Sequence, residues 1–435
     1  MIHMINLEQP IVKTTKMDIG SKIKFFRIQK GLKQDDLARG IISVSYLSKI
    51  ENNLTSPSEE VLRLLCERLE VSLIEQQDDT IFQELMSWYK LMTTSESQEI
   101  KRRYESLSKK IQSTNTKTYM YFVLFELRYH LYLKNIDQSR DLLEKLQQFM
   151  DIFDIHMHYY FQKFYSIYEY RRNNFVQALE HLKVAEQLLQ RNSNLEKSEE
   201  ADLYYLFGLT YSQTMKEPLS ITYTTKALQE FQAIYDFKRS AECQVLLGIC
   251  YRRIGEYDRS EKSYLLAQKL SESLNNMYLQ SLIYHNLGKL YSIKGHHEEA
   301  IKEYEKSYFL KQQDRPLSKL TSIYCILLEY DKLQDFTECR KWLKLGQELL
   351  TNPEDVMEYH YYFSIHESIL EGNYEKFDQI FQEQALPYFQ EKDLKEPLII
   401  YAERLAQYFE ASYKYKKASY YYSLGYKELK KQTFL

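Results

Sequence analysis

Few residues in this sequence have the type and spacing to do chemistry. His156/His158 and His296/His297 are the pairs a metal could use. HxH spacing sends two rings to opposite sides of a helix, and the second pair sits in a turn without a nearby Cys or a third ligand. Cys243 and Cys250, seven apart on one helix face, read as core thiols; the five cysteines contain no CxxC, which suits a reducing compartment. None of the patterns GxxxxGK[ST], GxGxxG, HExxH or GxSxG occurs. The sequence therefore predicts no enzyme, no metal and no cofactor. What remains is recognition chemistry. Residues 13–49 carry nine Lys or Arg (Lys13, Lys16, Lys22, Lys24, Arg27, Lys30, Lys33, Arg39, Lys49) against Asp18, Asp35 and Asp36, within a chain of net charge −3. A local cationic excess of this kind points to nucleic acid.

The elements that would carry these groups are helical. Apolar residues make up 44% and charged residues 27% of 435 residues, as in globular domains rather than disordered chains. Gly (11) and Pro (7) are together about 4% of the chain, where average usage gives roughly three times that. Few breakers mean few tight turns, so the fold class is all-α; the 40 Tyr suit packed helix pairs with polar edges. No apolar run reaches the ~18 residues of a membrane span, and MIHMINLEQPIVKTTK has no secretory pattern, so a cytoplasmic protein without a membrane partner is expected. Residues 1–17, before the second Met at Met17, read as a flexible extension.

Residues 18–75 read as four short helices. IGSKIKFFRIQKG puts Ile19, Ile23, Phe26 and at times Phe25 on one stripe and stops at Gly31; LKQDDLARG is a two-turn helix; IISVSYLSKIENN spaces Val44, Leu47 and Ile50 helically. SPSEEVLRLLCERLEV opens with Ser56 or Ser58 as cap and Pro57 in the first turn. Gln34-x-x-Leu37-Ala38, Ile42-Ser43-x-Ser45-Tyr46-Leu47-Ser48-x-Ile50-Glu51-Asn52 and Pro57-Ser58-x-x-x-Leu62 together resemble the helix-turn-helix of the Cro/repressor (Xre-type) family. Gly40-Ile41-Ile42 departs from it, since the family has a longer second helix and a single Gly in the turn. The resemblance implies that the third helix enters the major groove, with Val44, Ser45 and Lys49 at base edges. It puts Gln34 on a phosphate, and Ser43, Tyr46, Asn52 and Asn53 on phosphates or in support of the helix. Glu51 reads as a partner inside the domain. One such domain binds weakly, so a dimer on a palindrome with half-sites about 34 Å apart is expected.

After a linker region or first degenerate repeat (76–114), residues 115–435 repeat. Gly208/Tyr211, Gly248/Tyr251 and Gly288/Tyr291 recur every 40 residues, as do Ser220, Ser260 and Ala300, and Ala227, Ala267 and Ser307. Ser139, Ala178, Cys339, Lys376 or Phe377, and Ala418 mark weaker copies, making eight repeats and a candidate ninth at 80–113. This resembles the tetratricopeptide pattern, with about six residues added to its 34. HEAT-type arrays share the period but lack the Gly–Tyr–small order. The resemblance implies a right-handed α-solenoid whose first helices line a concave peptide groove. Its groove positions select Tyr205, Ser212, Arg252, His285, Asn286, Lys289, Ser292, Tyr324 and Asp331, with Lys163, Tyr170 and Arg128 by looser alignment. Asn286 suits a peptide main chain; Arg252, Lys289 or Arg128 suits a carboxylate.

A helix-turn-helix joined to a long degenerate array resembles the peptide-pheromone-responsive regulators of Gram-positive bacteria (the Rap, NprR, PlcR and PrgX group), and its length is similar to the NprR-like branch. The resemblance implies a quorum-sensing transcriptional regulator. A short re-imported signalling peptide would bind the groove and change a homodimer or higher oligomer on a palindromic DNA operator. It also implies a second, peptide-free role: binding a sporulation phosphorelay response regulator, by sequestration or in a phosphatase-like way. Ile81–Ile111 is similar to the helical region before the repeats of Rap proteins. A repeat scaffold with a vestigial DNA domain is the third reading.

Overall fold

The computed structural model describes residues 19–71, 79–94, 97–111, 116–191, 195–311, 316–350 and 356–433, and the described residues are helical without any strand. The expected 1–17 extension lies outside them. Cα packing divides the chain into compact units at residues 1–210 and 211–435. No helix among the described residues is long and apolar enough to cross a membrane.

The first unit opens with four short helices: α1 (Ile19–Gln29), α2 (Gln34–Ala38), α3 (Val44–Glu51) and α4 (Glu59–Leu69). Ser43 caps α3 by accepting from the Tyr46 N–H, and Ser58 caps α4 by accepting from the Val61 N–H. Helix α4 therefore starts after Ser58, which places Pro57 ahead of the cap rather than in the first turn. Ile23, Leu37, Ala38, Leu47, Ile50, Leu65 and Leu69 form the core of this group. Helices α1 and α3 touch so closely at Gly20 that a Cβ there would lie 1.7 Å from the Ile50 carbonyl oxygen. The α1 stripe differs from the expected one. Ile19 is exposed, and Phe25 is buried outside this core, its ring 5.2 Å from that of Tyr119 and 5.6 Å from that of Phe149.

Next come α5 (Asp79–Thr94) and α6 (Ser97–Lys110). Trp88 joins them: its indole N–H donates to the Ile100 carbonyl at 3.0 Å, and its ring stacks on Tyr104 and Phe122. Helices α7 (Thr116–Tyr132), α8 (Ile136–Gln147), α9 (Ile155–Arg171), α10 (Phe175–Gln190) and most of α11 (Lys197–Gln213) complete the unit.

The second unit contains α12 (Glu217–Ala233), α13 (Phe237–Arg253), α14 (Tyr257–Ser273), α15 (Met277–Ile293), α16 (His297–Leu310), α17 (Leu320–Lys332), α18 (Phe336–Leu349), α19 (Met357–Leu370), α20 (Tyr374–Ile380), α21 (Leu386–Glu391), α22 (Lys395–Ala411) and α23 (Tyr415–Thr433). A π-helical turn over Phe381–Ala385 links α20 to α21. The 40-residue signature has a direct packing cause. The α-carbons of Gly248 and Gly288 lie against the rings of Tyr264 and Tyr304, sixteen residues on, where a Cβ would sit within 2.4 and 2.7 Å of the ring atoms. Ser260 also donates to the Gly248 carbonyl at 2.8 Å, and Ala267 and Ala300 are fully buried. Small residues let each helix pair close, and the tyrosine fills the remaining volume. The turn inside a pair needs one left-handed residue: Gly255 and Gly295 supply it without strain, while Gln334 adopts φ 59° in the equivalent turn.

Candidate DNA-reading helix and ligand groove

Helix α3 owes its position to a buried carboxylate. Glu51, at its carboxyl end, is 1% exposed and accepts from Arg27 Nε at 2.6 Å and a second Arg27 nitrogen at 2.9 Å. Gln34 Nε2 donates to the same carboxylate at 2.7 Å. A buried charge must be paired this fully to be tolerated, so α1, α2 and α3 are locked at one point. Gln34, expected on a phosphate, spends its amide here. Asn53 likewise supports the fold, donating to Ser21 Oγ at 2.7 Å, and the Asn52 amide donates to the Ser48 carbonyl at 2.9 Å. Ser43 caps the helix and Tyr46 packs half-buried on its core.

Val44, Ser45 and Lys49 remain exposed on the outer face of α3. The cationic excess is narrower than the sequence suggests. Lys24 pairs with Asp151 at 2.7 Å, Lys30 with Glu70 at 2.5 Å and Arg39 with Asp35 at 3.0 Å, while Arg27 serves Glu51. The Lys30 ammonium holds the Glu70 carboxyl below its ordinary range. Among the described residues, Lys33 and Lys49 make no ion pair.

Of the expected groove residues, four lie in the first unit. Lys163 on α9 presents no surface: it is fully buried, 2.8 Å from Glu199 and 2.6 Å from Asp202 of α11, with the Tyr89 hydroxyl at 3.3 Å. Burial alone would lower its ammonium, but the Asp202 and Glu199 charges outweigh it and hold it above the usual lysine range. Tyr159 donates to the Glu199 carbonyl at 3.1 Å, closing a buried polar knot. Arg128, Tyr170 and Tyr205 are half-buried, and Tyr170 meets the Phe175 ring edge-on at 5.5 Å.

The other eight lie in the second unit. Ser212 is buried and accepts from Arg253 at 3.0 Å. Ser292 donates to Glu329 at 2.6 Å, a carboxylate that His297 also engages at 2.7 Å. Asn286 is buried, its amide donating to the Leu282 carbonyl at 2.9 Å. Lys289, Tyr324 and Asp331 share an unexpected feature: each is held by α22. Lys289 reaches Glu396 at 3.1 Å, Tyr324 lies 3.0 Å from the Tyr401 hydroxyl, and Asp331 accepts both nitrogens of the Arg404 fork. Glu396, Tyr401 and Arg404 are 73 to 107 residues from their partners and outside the Gly–Tyr register, so nothing in the repeat pattern marks them. Arg252 and His285 keep unspent groups: among the described residues, Arg252 Nε and His285 Nδ1 are buried without hydrogen-bond partners.

Two family models match. Residues 23–76 match the helix-turn-helix and residues 239–313 the tetratricopeptide repeat. Over 402 residues, 91% of this chain and 99% of the relative, the sequence is 40% identical to the transcriptional activator NprA of Geobacillus stearothermophilus. It is 26% identical over 352 residues to the regulatory protein RapD of Bacillus subtilis, covering 78% of this chain and 96% of that one. The fold is also that of the apo form of the quorum sensor NprR from B. thuringiensis, at a TM-score of 0.70 and 20% identity, over 81% of this chain and all of that one. The conserved length and the two matched motifs leave one conclusion: this chain belongs to the family of the transcriptional activator NprA, a helix-turn-helix carried on tetratricopeptide repeats.

Proposed function

We propose that this protein is a transcriptional regulator, not an enzyme, that binds a palindromic DNA operator through α3 and is switched by a short signalling peptide in its repeats. The observation that carries this reading is the division of labour along the chain. Helix α3 is held rigidly by Glu51 while Val44, Ser45 and Lys49 stay exposed, and the repeats hold unspent polar groups at Arg252 and His285. Val44 suits a thymine methyl and Lys49 a guanine edge. The peptide acts by binding two packings of the repeats unequally, which changes the homo-oligomer and the separation of its DNA-binding helices. A cytoplasmic location follows from this role.

The test is light scattering and operator binding on the full chain, with and without synthetic peptides drawn from any short reading frame found beside the gene. A peptide-dependent change in mass, with salt-steep binding to a dyad, supports the reading. Lys49→Ala should weaken the operator by ~1–3 kcal/mol and relax its sequence preference; unchanged operator choice would refute the assignment of α3. Similarity to the response regulator aspartate phosphatase A of Bacillus subtilis, 25% identical over 251 residues and 54% of this chain, favours a second activity, binding of a response regulator in the peptide-free state. Titrating the full chain with a phosphorylated receiver domain tests it, and no complex in the absence of peptide would remove it.

A further inference from the structure

We propose that Arg252, His285 and Lys311 form a subsite for a carboxylate of the bound peptide, either an Asp or Glu side chain or the chain terminus. This rests on the peptide-groove reading above and deepens it. The subsite lies within the second unit. Helix α13 brings Arg252, α15 brings His285 with Lys289 one turn on, and Lys311 follows the end of α16, its ammonium 2.9 Å from Ser322 Oγ on α17. The His285 ring stands 5.4 Å from that of Tyr304.

Among the described residues, two buried polar atoms here lack hydrogen-bond partners, Arg252 Nε and His285 Nδ1, and the Arg252 guanidinium lies beside the Tyr264 hydroxyl. Buried groups of this kind are normally satisfied, so the two of them mark an incomplete site. Its charge says what completes it. Burial and then the charges of Lys311, Lys289 and Arg252 push His285 down to about 4, and burial pulls Lys311 down to about 8. Among the described residues, no carboxylate lies within ion-pair distance of Arg252 or Lys311. Arg252, Lys289 and Lys311 all bear on the one His285 ring, and like charges so gathered repel, a cost that one anion converts into attraction. Lys289 shows the form this takes, since Glu396 of α22 meets it with both oxygens at 3.1 Å. Glu396 is mostly exposed and, among the described residues, pairs with Lys289 alone, which leaves the other cations for a ligand. A peptide fits better than a free anion because Asn286 adjoins His285, and the carboxamide oxygen that its bond to the Leu282 carbonyl leaves over can accept from a main chain.

The test uses the full chain and three probes: a random heptapeptide pool rich in Asp and Glu, the matched pool with Asn and Gln and amidated termini, and inorganic phosphate. Retained peptides are quantified by mass spectrometry. We expect the acidic pool to be retained about ten-fold better. Arg252→Gln and Lys311→Gln should each erase that preference while keeping retention of the neutral pool, which also shows that the variants are folded. Equal retention of both pools by the unaltered protein overturns the carboxylate subsite and leaves the groove reading standing. Retention of neither pool overturns both. Phosphate binding that the variants abolish, without any preference between pools, makes the site one for free anions and also overturns the proposal.

Discussion

Phe25 is the perturbation that separates the stability of the α1–α4 group from its docking. In an isolated four-helix group this side chain would face water, because it lies outside the core built on Ile23, Leu37, Leu47, Ile50, Leu65 and Leu69. It is nonetheless 1% exposed, set edge-on between Tyr119 of α7 and Phe149 beyond α8, and beside it Lys24 reaches Asp151. Burying a Phe removes about 150–250 Å² from water, worth about 4–6 kcal/mol at ~25 cal/mol per Å² before any loss of rotamer freedom. Phe25→Ala should therefore cost about 3–4 kcal/mol, near the usual range for buried Phe truncation. The cost falls on docking and not on the fold of the four helices. Native-state hydrogen exchange read by mass spectrometry resolves the two. Around Tyr119 and Phe149 protection should fall by two orders of magnitude or more, about 1.4 kcal/mol per factor of ten, while amides of α3 stay protected and DNA binding persists. Ile23→Ala, in the four-helix core, should do the reverse and expose α3. If Phe25→Ala leaves α7 and α8 unchanged, or melts α3 with them, the assignment of Phe25 to a docking contact is wrong.

Gly20→Ala must place a Cβ against the Ile50 backbone, which has nowhere to move; α1 and α3 should separate, abolishing DNA binding while a calorimetric transition of the repeats survives. Lys163→Met leaves Glu199 and Asp202 buried without their cation and should destabilise the first unit by ~3–5 kcal/mol, read as a fall in its chemical-denaturation midpoint; an unchanged midpoint would sink the view that this knot is structural. Burial holds His181 and His366 down to about 4 in the folded chain against an ordinary value of 6.5, so the unfolded chain binds more protons across that window. Stability is then fully present above pH 6.5 and declines as pH falls toward 4, and His366→Phe should flatten the decline in a pH-resolved melt.

The recognition helix and the repeat were legible because their signals are local. Capping serines at Ser43 and Ser58, the stop at Gly31 and the spacing of Leu47 and Ile50 act within a turn or two of chain. Gly248 and Gly288 recur because each must admit a tyrosine sixteen residues later, a constraint that one helix pair imposes on itself. Charge was less legible. The run of cations at residues 13–49 looks open in the sequence, yet Lys24, Lys30 and Arg27 find acids at Asp151, Glu70 and Glu51, which leaves Lys49 as the exposed charge on α3. Lys163 was assigned a groove position by looser alignment, but what surrounds a helix face depends on the next pair, and here Glu199 and Asp202 of α11 close over it.

The short helices around Leu47 and Ile50 and the helix pairs marked by Gly248 and Gly288 were therefore open to reading from the chain, since they depend on neighbours within about one repeat. Only the tertiary structure decided which polar groups face one another across long stretches of chain. Glu396, Tyr401 and Arg404 come to Lys289, Tyr324 and Asp331 because small rotations between successive pairs accumulate until α22 reaches α15 and α17. That accumulated geometry, which no single repeat encodes, settles which cations are neutralised and which, like Arg252 and Lys311, meet no acid among the described residues.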